Sequence, residues 1–228
     1  MNNKKGNFLI TVGLLLVAAA FVLTGYNVWD EQRADASAGR AVLHLEDVLP
    51  KESAQAKNMI SVTDPEILAS REVMDYLMSS GSGSEEVRVP AYILNPEMDM
   101  PVWNMEGQEY VGILEIPVLG LKLPIISEWS YSGLKTAPCR YYGSVYTQDM
   151  VIAGHNYRSH FAGLQNIEED TEVIFTDMDG NVFLYEVTSR EILGAADVEE
   201  MTSGEWDLTL FTCTSDGAYR VTVRCLLT

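Results

Sequence analysis

Basic residues are scarce in this chain: 15 Lys and Arg stand against 33 Asp and Glu, a net charge of −18. Phosphate backbones are bound by clustered cations, so a generic nucleic-acid binder is excluded. An acidic domain outside a membrane is kept soluble and off anionic lipid, and the charge says little more. Cysteine is equally scarce, with three in 228 residues. An odd number leaves at least one thiol unpaired, which in an exported protein points to a reactive group. No internal repeat is present. Charge is missing altogether from Phe8 to Trp29, a run of about 20 residues and enough to cross a hydrocarbon core as a helix.

Lys4 and Lys5 precede that run, and Asp30 and Glu31 follow it. The positive-inside rule then leaves the N-terminus in the cytoplasm and the remaining chain outside the cell, on a single-pass anchor. A cleaved signal peptide is the competing reading, because Ala34-Asp35-Ala36 and Ala36-Ser37-Ala38 have the small-x-small form. The apolar run exceeds the roughly 7–15 residues of a signal core, and those sites lie well past its end, which favours the anchor.

Three segments are expected: a cytoplasmic tip and anchor over 1–30, an extracellular stem over 31–109, and a globular domain over 110–228. Within the stem, Ala38–Val48 and Asp64–Met78 have helical composition, and Ser79–Ser84 is a flexible linker. The stem would hold the domain away from the membrane. The rival is a flap over the site, anchored by Met98, Met100 or Trp103. From Tyr110 onward short β-prone runs follow one another, seven or eight in all, with turn signals at Val118-Leu119-Gly120 and across Asp177–Asn181. Ser159–Ile167 is a short helix candidate, and Gly194–Trp206 an acidic loop. This is the pattern of an all-β barrel or sandwich.

The chemistry concentrates in Thr209–Arg220, TLFTCTSDGAYR. A β-prone run ends at Thr212-Cys213, turns through Asp216-Gly217 and resumes at Arg220, which is a hairpin. Cys213 and Arg220 thereby face one cleft. Upstream, the apolar run Val151–Gly154 stops at His155, another strand end. Thiol, imidazole and guanidinium supply the nucleophile, the acid/base and the oxyanion cation of acyl transfer. His160, which could equally be a surface residue, competes with His155 as the base, and Arg224, on the same strand face, competes with Arg220 as a solvent or supporting cation. Cys225 shares the parity of Val221 and Val223 and reads as core. Cys139 is ambiguous, and a Cys139–Cys225 disulfide stays open. Asp177, Asp179, Gly180 and Glu186 lack EF-hand spacing and read as a hairpin turn.

TLFTC with its following Arg, preceded by a Gly-His strand end, resembles the sortase signature, from about Gly112 to the C-terminus. The resemblance implies a closed β-barrel and a catalytic set of His155, Cys213 and Arg220. It also implies that Thr212 supports the oxyanion through its hydroxyl or its backbone. It implies a membrane-anchored cysteine transpeptidase of a Gram-positive type cell surface, cleaving a Leu-Pro-X-Thr-Gly-like sorting signal between Thr and Gly. The acyl group would pass to a cell-wall or pilin amine. No cofactor is required by that chemistry, although Glu168, Glu169 and Asp170 with Glu199 and Glu200 are a candidate calcium site of the kind some sortases have. Asp64-Pro65-Glu66 lacks the aromatic of the pilus-type lid motif, and the anchor with a short Cys-to-Arg hairpin suits a class B or class D-like enzyme. An extracellular cysteine protease, with water as acceptor, and a non-catalytic surface scaffold are the alternatives.

Overall fold

The computed structural model describes residues 3–50, 58–80 and 87–228. Most of the linker expected over 79–84 lies outside the described residues. The first element, α1 (Asn3–Val48), is one continuous helix of roughly 70 Å at 1.5 Å per residue. Its two halves differ in what surrounds them. Phe8–Trp29 is exposed along its apolar side chains, its best 18-residue window has a mean hydropathy of 2.5, and it is long enough to span a membrane. Beyond Asp30 the helix buries Ala34, Ala38, Ala41 and Leu45. The spacings of three and four residues put them on one stripe, and three alanines let the helix axis approach closely.

A small module follows. The two-stranded sheet β1 (Met59–Ser61) and β2 (Arg88–Pro90) encloses α2 (Pro65–Leu68) and α3 (Arg71–Ser80), with Val62, Val73 and Val89 at its centre. Asp64 caps α2, its Oδ1 accepting from Glu66 N at 2.9 Å with Pro65 in the first turn. The Asp-Pro pair is therefore a helix start. α4 (Ala91–Leu94) carries Tyr92, which stacks on Tyr146 with ring centroids 4.6 Å apart.

The remaining strands are β3 (Trp103–Met105), β4 (Gln108–Ile116), β5 (Leu121–Ile126), β6 (Cys139–Tyr142), β7 (Met150–Ala153), β8 (Glu172–Asp177), β9 (Val182–Gly194), β10 (Leu208–Cys213) and β11 (Tyr219–Leu227). Eight of them close a barrel in the order β4-β5-β6-β7-β10-β11-β9-β8, and β8 returns to β4 with Asp177 opposite Gly112. β3 extends β4 as a hairpin at its start. β5–β6 and β7–β10 are the parallel pairs. Leu114, Ile152, Phe175, Tyr185, Leu210 and Val223 fill the interior. Two short helices, α5 (Tyr131–Leu134) and α6 (Val198–Thr202), lie in connections. The span expected to be helical over 159–167 is a 3-10 turn over 162–166.

Burial along the strands reports what covers each face. β9 alternates buried and exposed from Phe183 to Val187, one face in the core and one in water. β4 is buried on both faces from Tyr110 to Leu114, because Ala41 and Leu45 of α1 pack on its outer side with Tyr110 and Ile113. Part of the stretch read from sequence as a stem is thus docked: α1 crosses the outer face of β4 and β5, and Pro50, two residues past its end, lies against Gly180 in the β8–β9 turn. Met100 enters the barrel core, and Trp103 packs with the α1 cluster.

Candidate active site

β7 and β10 run parallel, with Phe211 opposite Ala153, and Gly154 N donates to Phe211 O at 2.9 Å. Carried two residues beyond β7, this register would set His155 beside Cys213. On the other side β11 runs antiparallel to β10 and pairs Arg220 with Cys213. Neighbouring strands lie about 4.8 Å apart, so Cys213 and Arg220 sit side by side, and the β7–β10 register directs His155, two residues past β7, toward the other side of the thiol. Leu208 and Leu210 point into the barrel; alternation then turns Phe211 and Cys213 outward, and Arg220 with them. Cys213 is a free, half-buried thiol.

The neighbours of the thiol are held differently. Arg220 Nη1 donates to Gly217 O at 3.2 Å and Tyr219 O at 3.0 Å, folding the guanidinium over its own turn. That turn is braced by Thr214 Oγ1, which binds Asp216 Oδ1 and accepts from Tyr219 N, and it needs Gly217 at φ +74°. Thr212 has the parity of the core: the residue is 2 % exposed and its hydroxyl has no partner among the described residues. It faces away from the thiol, and only its backbone stays on the Cys213 side.

His155 leaves β7 through Gly154, where a Cβ would sit 2.4 Å from the Phe161 ring. Phe161 N in turn donates to His155 O at 3.1 Å, closing the loop. Burial lowers the His155 pKa below the ordinary imidazole value; Asp30 pulls it up and Lys135 pushes it down. His160, read from sequence as either the base or a surface residue, is fully buried, and neither ring nitrogen has a hydrogen-bond partner among the described residues. Burial, and then the neighbouring His155, push its pKa down to about 4.

Two features flank the thiol on the outer face. On the β11 side, Arg224 is 2 % exposed and ties the 195–207 connection to the barrel. Its Nε pairs with Glu191 at 2.7 Å, Nη1 donates to Met201 O and Thr209 Oγ1, and Nη2 donates to Glu200 O at 2.6 Å. It is a supporting cation, shut off from solvent. On the β6 side opens a cavity of about 480 Å³ lined by Ser127, Glu128, Trp129, Arg140 and Tyr141 among others. Tyr141 meets Phe211 edge-on at 5.4 Å, two residues before the thiol. Neither flank was legible as part of the site, although the aromatic grouping Trp129, Tyr131 and Tyr141 was a usable signal.

The other candidates resolve into structure. Asp177 accepts from Asp179 N, Asn181 N, Asn181 Nδ2 and Tyr146 Oη, so its oxygens organise a hairpin turn. Among the described residues no group of three or more His, Cys, Asp or Glu side chains could hold a metal ion, Glu168, Glu169, Asp170, Glu199 and Glu200 included. Cys139 packs outside the barrel with α1 and Cys225 inside it, both free. Burial raises their thiols to about 11 and about 12 respectively. A half-buried thiol paired with an arginine, at the strand ends to which a histidine is also led, is suited to acyl transfer.

A comparison with curated proteins finds no match. Among solved structures, similarity extends to a sortase D5 transpeptidase of Clostridium perfringens (18 % identity over 52 % of this chain and 79 % of that one, TM-score 0.47). It extends also to sortase A of Corynebacterium diphtheriae (20 % identity, 86 % and 84 %, TM-score 0.47) and sortase A of Listeria monocytogenes (17 % identity, 52 % and 87 %, TM-score 0.48). The sortase-domain family model matches residues 114–228, half of the chain and the whole row of strands that carries the site. The chain belongs to the sortase family and is a cysteine transpeptidase.

Proposed function

We propose that the protein is anchored in a cell membrane by the apolar part of α1, with its barrel outside, and sorts surface proteins that carry a Leu-Pro-X-Thr-Gly-like signal. The observation that carries this is the pairing of Cys213 with Arg220 across β10 and β11, supported by the β7–β10 register that, continued past Ala153, leads to His155 on the other side of the thiol. Cys213 thiolate attacks the Thr carbonyl carbon, and Arg220 leaves the Gly217 and Tyr219 carbonyls to face the developing oxyanion. The Thr–Gly C–N bond breaks as His155, in its protonated form, gives its proton to the departing amine. A primary amine of a cell-wall precursor or pilin then attacks the thioester. His155 takes the amine proton, and the thiolate leaves.

The test uses the full chain in detergent micelles, because residues 34–48 cover the outer face of β4. A quenched Leu-Pro-X-Thr-Gly peptide panel is assayed with and without an added amine, wild type against Cys213→Ala. Amine-captured product that depends on Cys213 is expected. Cys213-dependent hydrolysis indifferent to every amine would instead identify a protease.

A further inference from the structure

The catalytic-type histidine has no hydrogen bond to its ring among the described residues, so something else must fix its orientation. A base is useful only when a third group holds it in place. Here Tyr157 lies on the His155 ring, centroids 4.7 Å apart and planes 29° from parallel. Its other neighbour is His160, at 5.4 Å. The Tyr157 hydroxyl donates to Asp30 Oδ2 at 2.7 Å, and the next residue's backbone, Arg158 N, donates to Glu31 Oε1 at 2.7 Å. Both acceptors belong to α1, 127 residues earlier in the chain. They sit where the exposed apolar half of the helix gives way to the docked half. Just before them Trp29 meets Tyr26 at 6.0 Å and lies under Arg33 at 5.7 Å, the aromatic and cationic dress of a membrane interface.

We propose that Asp30 and Tyr157 are positioning residues for His155: the anchor helix holds Tyr157 by its hydroxyl, and Tyr157 holds the imidazole by its face. The inference rests on the sortase reading of the site. It makes the membrane helix part of the active-site scaffold, since the residue that braces the histidine loop is the first charged one after the apolar run. Asp30 also acts on the imidazole through its charge. Asp30 of α1 and Lys135 after α5 act on the imidazole by charge, and Glu31 and Tyr26 of α1 act on Tyr157 beside it. Arg158 and His160 belong to its own loop, and Cys213 and Arg220 to the neighbouring strands. Asp30 is the anion among these that raises the His155 pKa.

The full chain in micelles, in a Cys213→Ala background, allows the imidazole C–H signals of the three histidines to be followed against pH, with His155→Gln assigning the signal. Asp30→Asn preserves the helix and an acceptor for Tyr157 but removes the charge, so His155 is expected to titrate at lower pH. Asp35→Asn, on an exposed position of the same helix, is expected to leave it in place. With Cys213 restored, Asp30→Asn and Tyr157→Phe are expected to lower kcat by about three- to thirtyfold at unchanged KM, because orientation of the base is lost without loss of binding. A titration that stays put in Asp30→Asn overturns the assignment, and so does one that moves while both variants keep wild-type kcat. Absence of any Cys213-dependent product from the wild type would defeat the sortase reading of the site instead, and the titration would then decide the role of Asp30 by itself.

Discussion

Replacing Arg224 by Met removes a buried cation while keeping most of its volume. The side chain is 3 % exposed and makes four hydrogen bonds, to Glu191, Met201 O, Thr209 Oγ1 and Glu200 O. Two of these acceptors are carbonyls in the last turn of α6, a helix with no basic residue of its own there, so Arg224 supplies the cation from β11. Hydrogen bonds to a charged group contribute about 1.5–3 kcal/mol each, and removing one partner of a buried pair costs about 3–5 kcal/mol. Two effects reduce the sum. Glu191 is 43 % exposed and regains water, and the guanidinium no longer has to be desolvated. A net loss of about 2–4 kcal/mol remains, which for a domain of this size lowers the thermal midpoint by roughly 5–15 °C. The loss should appear locally as well: Glu199, Glu200 and Glu205 lie in the released connection, and a Glu-specific protease should nick Arg224→Met there faster than wild type. A thermal midpoint within about 2 °C of wild type, with unchanged nicking, would refute the clamp.

Acid stability tests His160. Its folded pKa of about 4 lies below the ordinary 6.5, so the unfolded chain takes up a proton first as the pH falls. The stabilisation is complete above about pH 6.5 and is lost progressively down to about pH 4, amounting to roughly 3 kcal/mol. Asp177, whose pKa is raised by burial, works in the opposite sense at the acid end. His160→Phe should therefore flatten the fall of the thermal midpoint between pH 6.5 and 4; an unchanged slope would remove His160 as its cause. For the docked half of α1, Leu45→Ala empties a fully buried position and should cost about 2–4 kcal/mol in thermal unfolding. Leu15→Ala, on the exposed half, should leave the barrel's midpoint where it is.

The reading of the strands succeeded where period and turn chemistry act locally. The Cys213–Arg220 hairpin, the inward parity of Cys225, the strand end before His155 and the helical composition of 38–48 all follow from neighbours a few residues apart. The failures share one cause, which is burial created by distant chain. Ala34, Ala38 and Ala41 carry too little hydropathy to announce a packing face, so the docked half of α1 read as a stem. Their helical spacing, continued by Leu45, was the overlooked signal. β4 has no alternation because α1 supplies its second cover. His160 looked like a surface residue and Arg224 like a choice between solvent and support, because a polar side chain shows its partners only after folding, and Tyr157 carried no motif at all.

The same reasoning explains why the chemistry sits where it does. The barrel interior is filled by apolar side chains, which leaves no room for a peptide, and α1 packs on part of the outer face of β4 and β5. β7, β10 and β11 present the thiol on an outer face bounded by the Arg224-held connection on one side and the Trp129–Tyr141 cavity on the other. Alternation then does the sorting within a single strand. Leu208, Leu210 and Thr212 belong to the core, while Phe211 and Cys213 belong to the site. A one-residue slip of β10 against β7 and β11 would bury the thiol and expose three core side chains at once. The register that keeps the barrel closed is thus also the one that keeps Cys213 on the outer face beside Arg220, so selection for a packed core also preserves the placement of the thiol.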